Sequence, residues 1–561
     1  MIVRVLESVP GLTVIADEER LRPFETDGFI QHRALPLCAV LPQTESQVGE
    51  ILKRCREAQV PVVTRGAGTG ISGGAIPHDQ GVLMVLTRMN AIHSIDALAR
   101  TATVGPGVRN LAVTEAATPH GLFFAPDPSS QVVSSIGGNA AENAGGVHCV
   151  KYGLTVHNIQ ALRLVLSDGS VASLGSRALD APGYDVLALA IGSEGMLGAI
   201  TEITVKLTPQ PMQIETLLAA FDSVSDAATA VGDIIAAGIT PAALDMMDKM
   251  VIEACERFMA AGFPTGAAAL LLVELDGTME EVAEERSRVE TLLNACNATE
   301  VRSAKSAAER EKLWRARKGA FAALATIRPD YYTVDGTIPR RKLPEVLQRY
   351  DELATEYGMT VANVFHAGDG NLHPLILFDA NDPDSSHRAE VAGNEILAYC
   401  VKVGGCLTGE HGVGIGKAKY MPNEHGDGLE VMRTIKQTLD PNGILNPDVV
   451  LSEDPQIHLK HLKPLPAADE LVDKCIECGF CEPVCPSRAL TLTPRQRIVL
   501  RLLGLTDVFT PEIVYGRDDD GTYFLAMELV EGEGLDALLR RESKLVAERA
   551  VHLAVQIARS L

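Results

Sequence analysis

The sequence lacks the features of a nucleic-acid-binding or membrane-spanning protein. Its 561 residues carry 50 Lys and Arg against 73 Asp and Glu, a formal net charge of −23. A sequence-independent hold on nucleic acid needs clustered basic residues. The longest apolar runs, such as residues 267–273, are far too short to span a bilayer. We therefore expect no nucleic-acid partner and at most peripheral contact with a membrane.

An export signal is also missing from the pattern of the first residues. Residues 1–12 show no basic stretch followed by an apolar core, so we read no signal peptide there. The eleven cysteines then predict reduced thiols and a cytoplasmic protein that could lie against the inner face of the membrane. Seven scattered cysteines are expected to be core residues: Cys38, Cys55, Cys149, Cys255, Cys296, Cys400 and Cys406.

Strand and helix patterns predict an α+β protein of two main domains. Residues 36–210 read as alternating short elements, with strands at 60–64, 82–86 and 162–166 and a hairpin turn at 167–169. The second region has long helical stretches near 222–237 and 279–297. We expect domains at 1–211 and 212–450, a linker at 451–467, a cysteine-rich segment at 468–500 and a tail at 501–561.

A glycine-rich segment follows the strand predicted at 60–64. Residues 65–74, RGAGTGISGG, place five glycines in ten positions, and glycine lets a backbone approach a pyrophosphate closely. The segment is not a phosphate loop of the Walker type, because no Gly-Lys-Ser/Thr follows it. Alone it is a modest signal for a nucleotide cofactor.

A second small and polar block strengthens that signal. It comprises residues 125–130 and 135–146, with further glycine turns at 102–107 and 191–198. Together these segments resemble the FAD-binding domain of the vanillyl-alcohol-oxidase (PCMH) type over roughly residues 15–210. The resemblance implies these FAD contacts: Arg65, Gly66, Ala67, Gly68, Thr69, Gly70, Gly73, Gly74, Pro126, Asp127, Ser129, Ser135, Gly138, Asn143, Gly145, Gly146 and, from the second domain, Asn446. Thr69 stands where some members carry a flavin-linking His, so we expect non-covalent FAD.

Two short motifs in the second region supply metal-binding chemistry. Residues 366–373 read HAGDGNLH and residues 409–414 read GEHGVG. Two imidazoles and a carboxylate are a ligand set for borderline metals. The motifs resemble the C-terminal domain of FAD-linked D-lactate, glycolate and D-2-hydroxyglutarate dehydrogenases. The resemblance implies that His366, His373 and Glu410 hold a divalent metal, Zn or Mn, and that His411 is the catalytic base.

The same resemblance implies a clamp for the substrate carboxylate. Residues 313–318, LWRARK, offer three cations, of which likeness to the family favours Arg317, with Arg315 and Lys318 as rivals. Some hydroxyglutarate enzymes carry a Lys where Thr333 stands, so a second carboxylate finds no obvious partner. We expect FAD-dependent oxidation of a D-2-hydroxy acid, with D-lactate favoured over glycolate and D-2-hydroxyglutarate.

A cysteine cluster follows the two domains. Cys475, Cys478, Cys481 and Cys485 form the C-x2-C-x2-C-x3-C-P run of a bacterial ferredoxin, which resembles the iron–sulfur extension of bacterial FAD-linked dehydrogenases. The fourth Cys of such a run serves a second cluster, yet no cysteine follows Cys485. We expect an incomplete 4Fe-4S site. Electrons would pass to an acceptor protein or to a quinone or cytochrome chain.

The tail departs from that pattern after about Leu502. Residues 523–532 and 535–541 resemble the hinge and following helix of a serine/threonine protein kinase, without a nucleotide loop or catalytic loop. The alternative interpretation is an ordinary acidic strand and amphipathic helix. A fusion or a chimeric gene would explain the fragment, and a scaffold protein with an inactive oxidoreductase and a docking tail is the competing function.

Overall fold

A computed structural model describes residues 2–29, 32–178, 183–328, 330–379 and 382–460, together with the backbone of two strands at 513–517 and 523–527. Within these residues the protein mixes helices and sheets, which confirms the predicted α+β class. Residues 2–460 fall within one compact unit, and the two later strands belong to a second.

The first region contains a small sheet that carries the glycine-rich segment at the end of its edge strand. The strand order is β1-β2-β4-β3, with β2, β4 and β3 parallel and β1 antiparallel to β2. The strands are β1 (Thr13–Ile15), β2 (Cys38–Leu41), β3 (Val62–Arg65) and β4 (Val82–Val85). Since β3 ends at Arg65, the glycines follow the strand directly, as the sequence predicted. The structure adds that this strand is parallel to β4.

A second, antiparallel sheet of five strands completes this region. Its order is β5-β6-β10-β8-β9, and a two-stranded pair joins β7 to β11. The tight turn between β8 and β9 confirms the hairpin predicted at 167–169. The strands are β5 (Ile92–Asp96), β6 (Thr101–Val104), β7 (Leu122–Phe123), β8 (Ile159–Val165), β9 (Val171–Gly175), β10 (Ala199–Lys206) and β11 (Thr208–Pro209).

The second region is built on a seven-stranded antiparallel sheet of order β15-β12-β14-β13-β18-β20-β16, with a small β17-β19 pair beside it. The strands are β12 (Gln213–Phe221), β13 (Ala243–Asp248), β14 (Ala269–Gly277), β15 (Glu300–Ser303), β16 (Asp330–Thr333), β17 (Gly336–Thr337), β18 (Thr360–Phe365), β19 (Asn371–Leu372) and β20 (Pro374–Phe378).

Helices cover both faces of this large sheet, so its central strands are apolar on both sides. In β14, Leu271 and Val273 face one core, which includes Val231 and Tyr350, and Leu270 and Leu272 face the other. The long apolar run noted at 267–273 is therefore a strand buried on both faces. No helix among the described residues has the length and apolar character needed to cross a membrane.

Helix boundaries follow recognisable local signals. In α3, buried Val48, Ile51, Leu52 and Cys55 recur at helical spacing, and Thr44 caps the first turn by accepting a hydrogen bond from the Gln47 amide. The stretches predicted at 222–237 and 279–297 are α8 and α10. The helices of the first region are α1 (Ile2–Glu7), α2 (Glu18–Leu21), α3 (Glu45–Ala58), α4 (Asn110–Ala117), α5 (Ile136–Glu142), α6 (Cys149–Tyr152) and α7 (Val186–Ala190). Those of the second are α8 (Val224–Ala236), α9 (Lys249–Met259), α10 (Met279–Ala295), α11 (Ala307–Lys318), α12 (Ala320–Ala325), α13 (Leu343–Tyr357), α14 (Pro383–Lys402), α15 (Met421–His425) and α16 (Gly428–Leu439).

The beginning of the predicted linker packs against the two regions before it. Ile457 and His458 are buried. The His458 carbonyl lies 2.7 Å from Nε2 of His32, and its ring lies 2.7 Å from the Glu390 carboxylate on α14. Residues up to 460 are thus attached to the body of the protein at the junction of its two regions.

The tail contributes one described feature, the antiparallel pair β21 (Ile513–Arg517) and β22 (Tyr523–Met527). A strand at 523–527 agrees with the strand of the alternative interpretation of the tail. The helix predicted at 535–541 lies outside the described residues, as does the whole cysteine-rich segment at 468–500.

Candidate active site and metal centre

Three imidazoles surround the carboxylate of Glu410. Its Oε1 lies 3.3 Å from Nε2 of His366, 2.9 Å from Nε2 of His373 and 3.5 Å from Nε2 of His411. His366 follows β18 directly and His373 precedes β20. The turn between them closes with a hydrogen bond from the His366 amide to the Asn371 carbonyl, so the two imidazoles come to lie side by side, with ring centres 5.2 Å apart.

This arrangement fits a divalent metal. One ligand atom from each of His366, His373 and Glu410 lies within 4.8 Å of the other two, and the three side chains are at most 10% exposed. Asp335, His373 and His411 form a second set whose ligand atoms also lie within 4.8 Å of one another. We favour the first set because the Asp335 carboxylate already accepts several other hydrogen bonds.

Glu410 and His373 have protonation states that suit metal binding. Burial raises the pKa of Glu410, but the neighbouring His366 and the other imidazoles outweigh it and hold that pKa well below its usual range. Burial lowers the pKa of His373 to about 4, with the carboxylate of Glu410 opposing and His411 assisting. His373 is therefore a neutral imidazole at neutral pH, the form that ligates metals. Burial lowers the pKa of His366, but the charges of Asp245 and Glu410 outweigh it and raise that pKa well above its usual range, so His366 would release a proton on binding a metal.

Asp335 anchors the loop that carries Glu410 and His411. Its Oδ2 accepts hydrogen bonds from the Thr408 hydroxyl (2.5 Å) and from the amides of Gly409 and His411 (3.1 Å each). Lys417 Nζ lies 3.0 Å from the same oxygen. Burial would raise the pKa of Asp335, yet Lys417 and the two nearby imidazoles keep it well below its usual range. A buried carboxylate thus fixes the backbone of the loop at His411.

Of the three candidate cations for the carboxylate clamp, Arg317 lies in the site and Arg315 and Lys318 do not. The Arg317 guanidinium is 3% exposed and pairs with Asp245, Nε to Oδ2 at 2.8 Å. Arg315 is exposed on the outer face of α11. Lys318 is engaged by Asp127 at 2.6 Å. The helix spacing therefore directs only Arg317 to the sheet face beside the metal centre, where its Nη2 is buried without a hydrogen-bond partner among the described residues.

The two glycine-rich blocks come together in the first region. A β-carbon at Gly66 would lie 2.1 Å from the Ser135 hydroxyl, and one at Gly74 would lie 3.0 Å from the Glu142 carboxylate. Gly73 has φ +84°, which favours glycine. Side chains at these positions would block the path of the loop. A loop without them fits a backbone that comes close to a dinucleotide. FAD is the group whose binding these residues fit.

Several residues predicted to contact FAD make internal hydrogen bonds that shape this loop. Arg65 donates from Nη1 to the Thr26 carbonyl at 2.5 Å. Asn446 donates from Nδ2 to the carbonyls of Gly74 (2.8 Å) and Glu194 (2.6 Å). Ser135 caps α5, and Asn143 ends it in the left-handed conformation. Ala67, Gly68, Thr69 and Gly70 lie in the loop itself, and Pro126 and Ser129 lie in the segment before α5.

The first region also reaches the metal centre. A β-carbon at Gly145 would lie 2.7 Å from Oε2 of Glu410, and the neighbouring Gly146 has φ +149° and lies against Asp127. Glu194 accepts hydrogen bonds from the amides of Val413 (2.7 Å) and Gly414 (2.8 Å). The predicted flavin segments and the predicted metal motifs therefore line one continuous site.

Four charged residues of this site were not singled out from the sequence: Asp245, Glu194, Lys417 and, as an anchor, Asp335. Asp335 lies two residues after Thr333, and no role for it was expected from the sequence. Glu194 lies in the glycine turn at 191–198, where no role was expected for its carboxylate. Asp245 belongs to no motif, and its position among apolar strand residues, as in 243–247, was the one available signal. Burial raises the pKa of Glu194 to about 7, although the Val413 and Gly414 amides oppose this.

Seven cysteines are free thiols in the described residues. Cys38, Cys55, Cys255, Cys296 and Cys400 are buried, as predicted for core residues, whereas Cys149 and Cys406 are partly exposed. The predicted iron–sulfur ligands Cys475, Cys478, Cys481 and Cys485 lie outside the described residues.

Sequence comparison places these features in a known class. The profile of "FAD linked oxidases, C-terminal domain" matches residues 210–450. That of "FAD binding domain" matches residues 36–175. A "4Fe-4S binding domain" profile matches residues 472–491, which include all four clustered cysteines. The fold and site are thus those of an FAD-linked oxidoreductase.

Full-length relatives define the family. The chain is 54% identical over 442 residues to the glycolate oxidase subunit GlcD of Escherichia coli K12, covering 79% of this chain and 89% of that one. It is 38% identical over 433 residues to the Bacillus subtilis subunit, covering 77% and 92%. It is 33% identical over 441 residues to the mitochondrial D-lactate dehydrogenase [cytochrome] of Arabidopsis thaliana, covering 78% and 77%. The chain therefore belongs to the FAD-linked oxidase family that contains these enzymes.

Solved structures of lower identity share the fold. A p-cresol methylhydroxylase with substrate bound superposes with a TM-score of 0.66 at 19% identity, covering 78% of this chain and 94% of that one. An alkyldihydroxyacetonephosphate synthase gives 0.63 at 20% identity, covering 80% and 85%. These neighbours share the fold, and together with the two profiles they confirm the predicted PCMH-type FAD-binding domain followed by the FAD-linked oxidase C-terminal domain.

Proposed function

We propose that the chain oxidises a small monocarboxylic 2-hydroxy acid to the 2-oxo acid, with non-covalently bound FAD as the first electron acceptor. The observation that supports this most directly is the juxtaposition of His411, a buried two-histidine-one-carboxylate triad and the guanidinium of Arg317. A base accepts the hydroxyl proton, a metal polarises the hydroxyl and an anion clamp binds the carboxylate, so each of these groups assists oxidation of a 2-hydroxy acid.

Each group has a distinct task in this proposal. Arg317 binds the substrate carboxylate through its unpartnered Nη2 side, which fixes the hydroxyl-bearing carbon. His411 accepts the hydroxyl proton, and Asp335 holds the His411 backbone in place at 3.1 Å. Bound FAD would supply the hydride acceptor, and a divalent ion held by His366, His373 and Glu410 would supply polarisation of the hydroxyl.

Two substrates follow from different observations. Glycolate is favoured by the 54% identity to the glycolate oxidase subunit GlcD. D-lactate, which the sequence favoured, is supported by two observations. Thr333 stands where a partner for a second substrate carboxylate would be expected, and the D-lactate dehydrogenase relatives are 32–33% identical to this chain. D-2-hydroxyglutarate ranks below both because it carries a second carboxylate.

Electrons leave the flavin through a carrier in this proposal. The 4Fe-4S profile matches residues 472–491, and a cluster next in the chain to the flavin domains would take electrons singly and pass them on to a protein, quinone or cytochrome acceptor. A single cysteine run supplies too few ligands for the two clusters of a complete ferredoxin-like extension.

The test is anaerobic mixing of the FAD-loaded protein with glycolate, D-lactate, L-lactate and D-2-hydroxyglutarate, followed by flavin absorbance. We expect rapid bleaching with glycolate or D-lactate and turnover when an artificial electron dye is added. L-lactate is the matched control for stereochemistry. Bleaching by none of the four acids would overturn the proposed function.

A further inference from the structure

Asp245 lies where the metal centre and the anion clamp meet. Strands β13 and β18 pair Met246 with Phe365, so the next position along each strand brings Asp245 beside His366. The Asp245 carboxylate has no solvent exposure. Its Oδ1 lies 2.9 Å from Nδ1 of His366, and its Oδ2 lies 2.8 Å from Nε of Arg317.

The contact with His366 fixes which ring nitrogen can ligate a metal. A carboxylate accepts a hydrogen bond, so the hydrogen of the neutral ring is held on Nδ1. The lone pair is then on Nε2, which faces Oε1 of Glu410 at 3.3 Å. A hydrogen bond of this type orients a ligating imidazole and raises its basicity.

The contact with Arg317 fixes the direction of the clamp. The guanidinium is planar, so holding Nε on Asp245 sets the orientation of both terminal nitrogens. The contact at Nε is an ion pair at 2.8 Å, and both Nε and Nη2 are buried without a hydrogen-bond partner among the described residues. Asp245 also supplies the negative charge that a buried guanidinium needs before an anionic substrate arrives.

We propose that Asp245 is a positioning residue that fixes His366 and Arg317 as one unit, so that a single carboxylate controls both metal affinity and substrate-carboxylate affinity. The second half rests on the proposed function, because it takes the ligand of Arg317 to be a 2-hydroxy or 2-oxo monocarboxylate. The first half depends only on the donor set of the metal centre.

The test compares Asp245→Asn with the unchanged protein, each loaded with FAD, in two separate titrations. Mn²⁺ or Zn²⁺ is added without any organic acid, and we expect the metal dissociation constant to rise roughly 10- to 100-fold, the usual range for losing such a hydrogen-bond partner. Pyruvate, which cannot donate a hydride, is then added to metal-free protein and followed by the flavin spectrum. We expect its dissociation constant to rise by about tenfold or more, the scale for disturbing a buried interaction between charged groups.

Asp248→Asn is the matched control, because Asp248 is another carboxylate of the same strand. It accepts hydrogen bonds from the amides of Val251 (3.0 Å) and Asn363 (2.6 Å), so its loss should lower the melting temperature and leave both dissociation constants unchanged. Asp245→Glu keeps the charge but moves it by one methylene. It should fold even if Asp245→Asn does not, with both affinities reduced to an intermediate degree.

Steady-state kinetics give a third readout that simple destabilisation would not produce. At saturating metal, kcat of Asp245→Asn should recover substantially while KM for the hydroxy acid stays raised. Weakening of only one of the two affinities, or of neither, would overturn the proposal. If the unchanged protein oxidises no hydroxy acid, the proposed function fails, but the metal titration still decides the first half.

Discussion

Replacing Asp335 by Asn tests how much of the site depends on one buried charge. The carboxylate accepts hydrogen bonds from the Thr408 hydroxyl and from the Gly409 and His411 amides, and it pairs with Lys417. Asn retains one acceptor oxygen but turns an NH₂ group toward donors. It also leaves the buried ammonium of Lys417 without its counter-charge, which costs about 3–5 kcal/mol.

That loss is large relative to the ~5–15 kcal/mol that stabilises a typical folded unit. We expect the melting temperature of Asp335→Asn to fall by roughly 10 °C. Because the same carboxylate holds the loop that carries Glu410 and His411, purified protein should also contain less metal and reduce its flavin more slowly. Near-ultraviolet circular dichroism, metal analysis and anaerobic stopped-flow absorbance measure the three effects.

A double variant separates charge balance from loop positioning. Adding Lys417→Met to Asp335→Asn removes the unpaired ammonium, so part of the melting temperature should return. Metal content and flavin reduction should stay low, since a thioether side chain at position 417 cannot hold the amides of Gly409 and His411. Recovery of all three properties together would refute the claim that Asp335 positions the loop.

Four further predictions address other parts of the protein. His411→Asn should keep FAD but slow flavin reduction by substrate by ~10²-fold or more, and a near-normal stopped-flow rate would remove His411 from its role as base. FAD should be released by acid or heat, because Thr69 offers no covalent attachment, and flavin retained by the denatured protein would contradict this. Anaerobically purified protein should hold substoichiometric iron, and two full clusters by iron and sulfide analysis with electron paramagnetic resonance would disprove it. His148 lies 3.0 Å from Asp127 and 3.1 Å from Glu274, and the charges of these carboxylates outweigh burial and raise the pKa of His148 to about 10. The contribution of His148 to stability is therefore complete below pH ~6.5 and is lost as pH rises through about 10. The melting temperature should fall over that pH interval in the unchanged protein and fall less in His148→Gln.

The sequence was most informative where chemistry is local. The two His residues at 366 and 373 are joined by a Gly-Asp-Gly-Asn turn, so their proximity follows from the turn itself. The glycine-rich segment follows a strand that the apolar pattern predicted. In both places a few adjacent residues determine the geometry, and the structure agrees with the prediction.

Contacts made by distant strands could not be predicted in the same way. Asp245 meets His366 across 121 positions of chain, because β13 and β18 are neighbours in a sheet whose strand order is not sequential. The choice among Arg315, Arg317 and Lys318 depended on which face of α11 covers the sheet. Sequence periodicity left that choice open. The structure decides it because Arg317 pairs with Asp245 of β13, whereas Lys318 pairs with Asp127 in the segment before α5.

The contact of Gly145 with Glu410 limits how such an enzyme can be recombined. A β-carbon at position 145 would lie 2.7 Å from the Glu410 carboxylate, so at this point the first region contributes backbone without a side chain to the wall of the candidate metal centre. A chimera that joined a foreign flavin-binding half to this catalytic half would need glycine at that single point before any new substrate pocket could work. The two halves therefore cannot be exchanged independently at position 145, where the residue has no side chain.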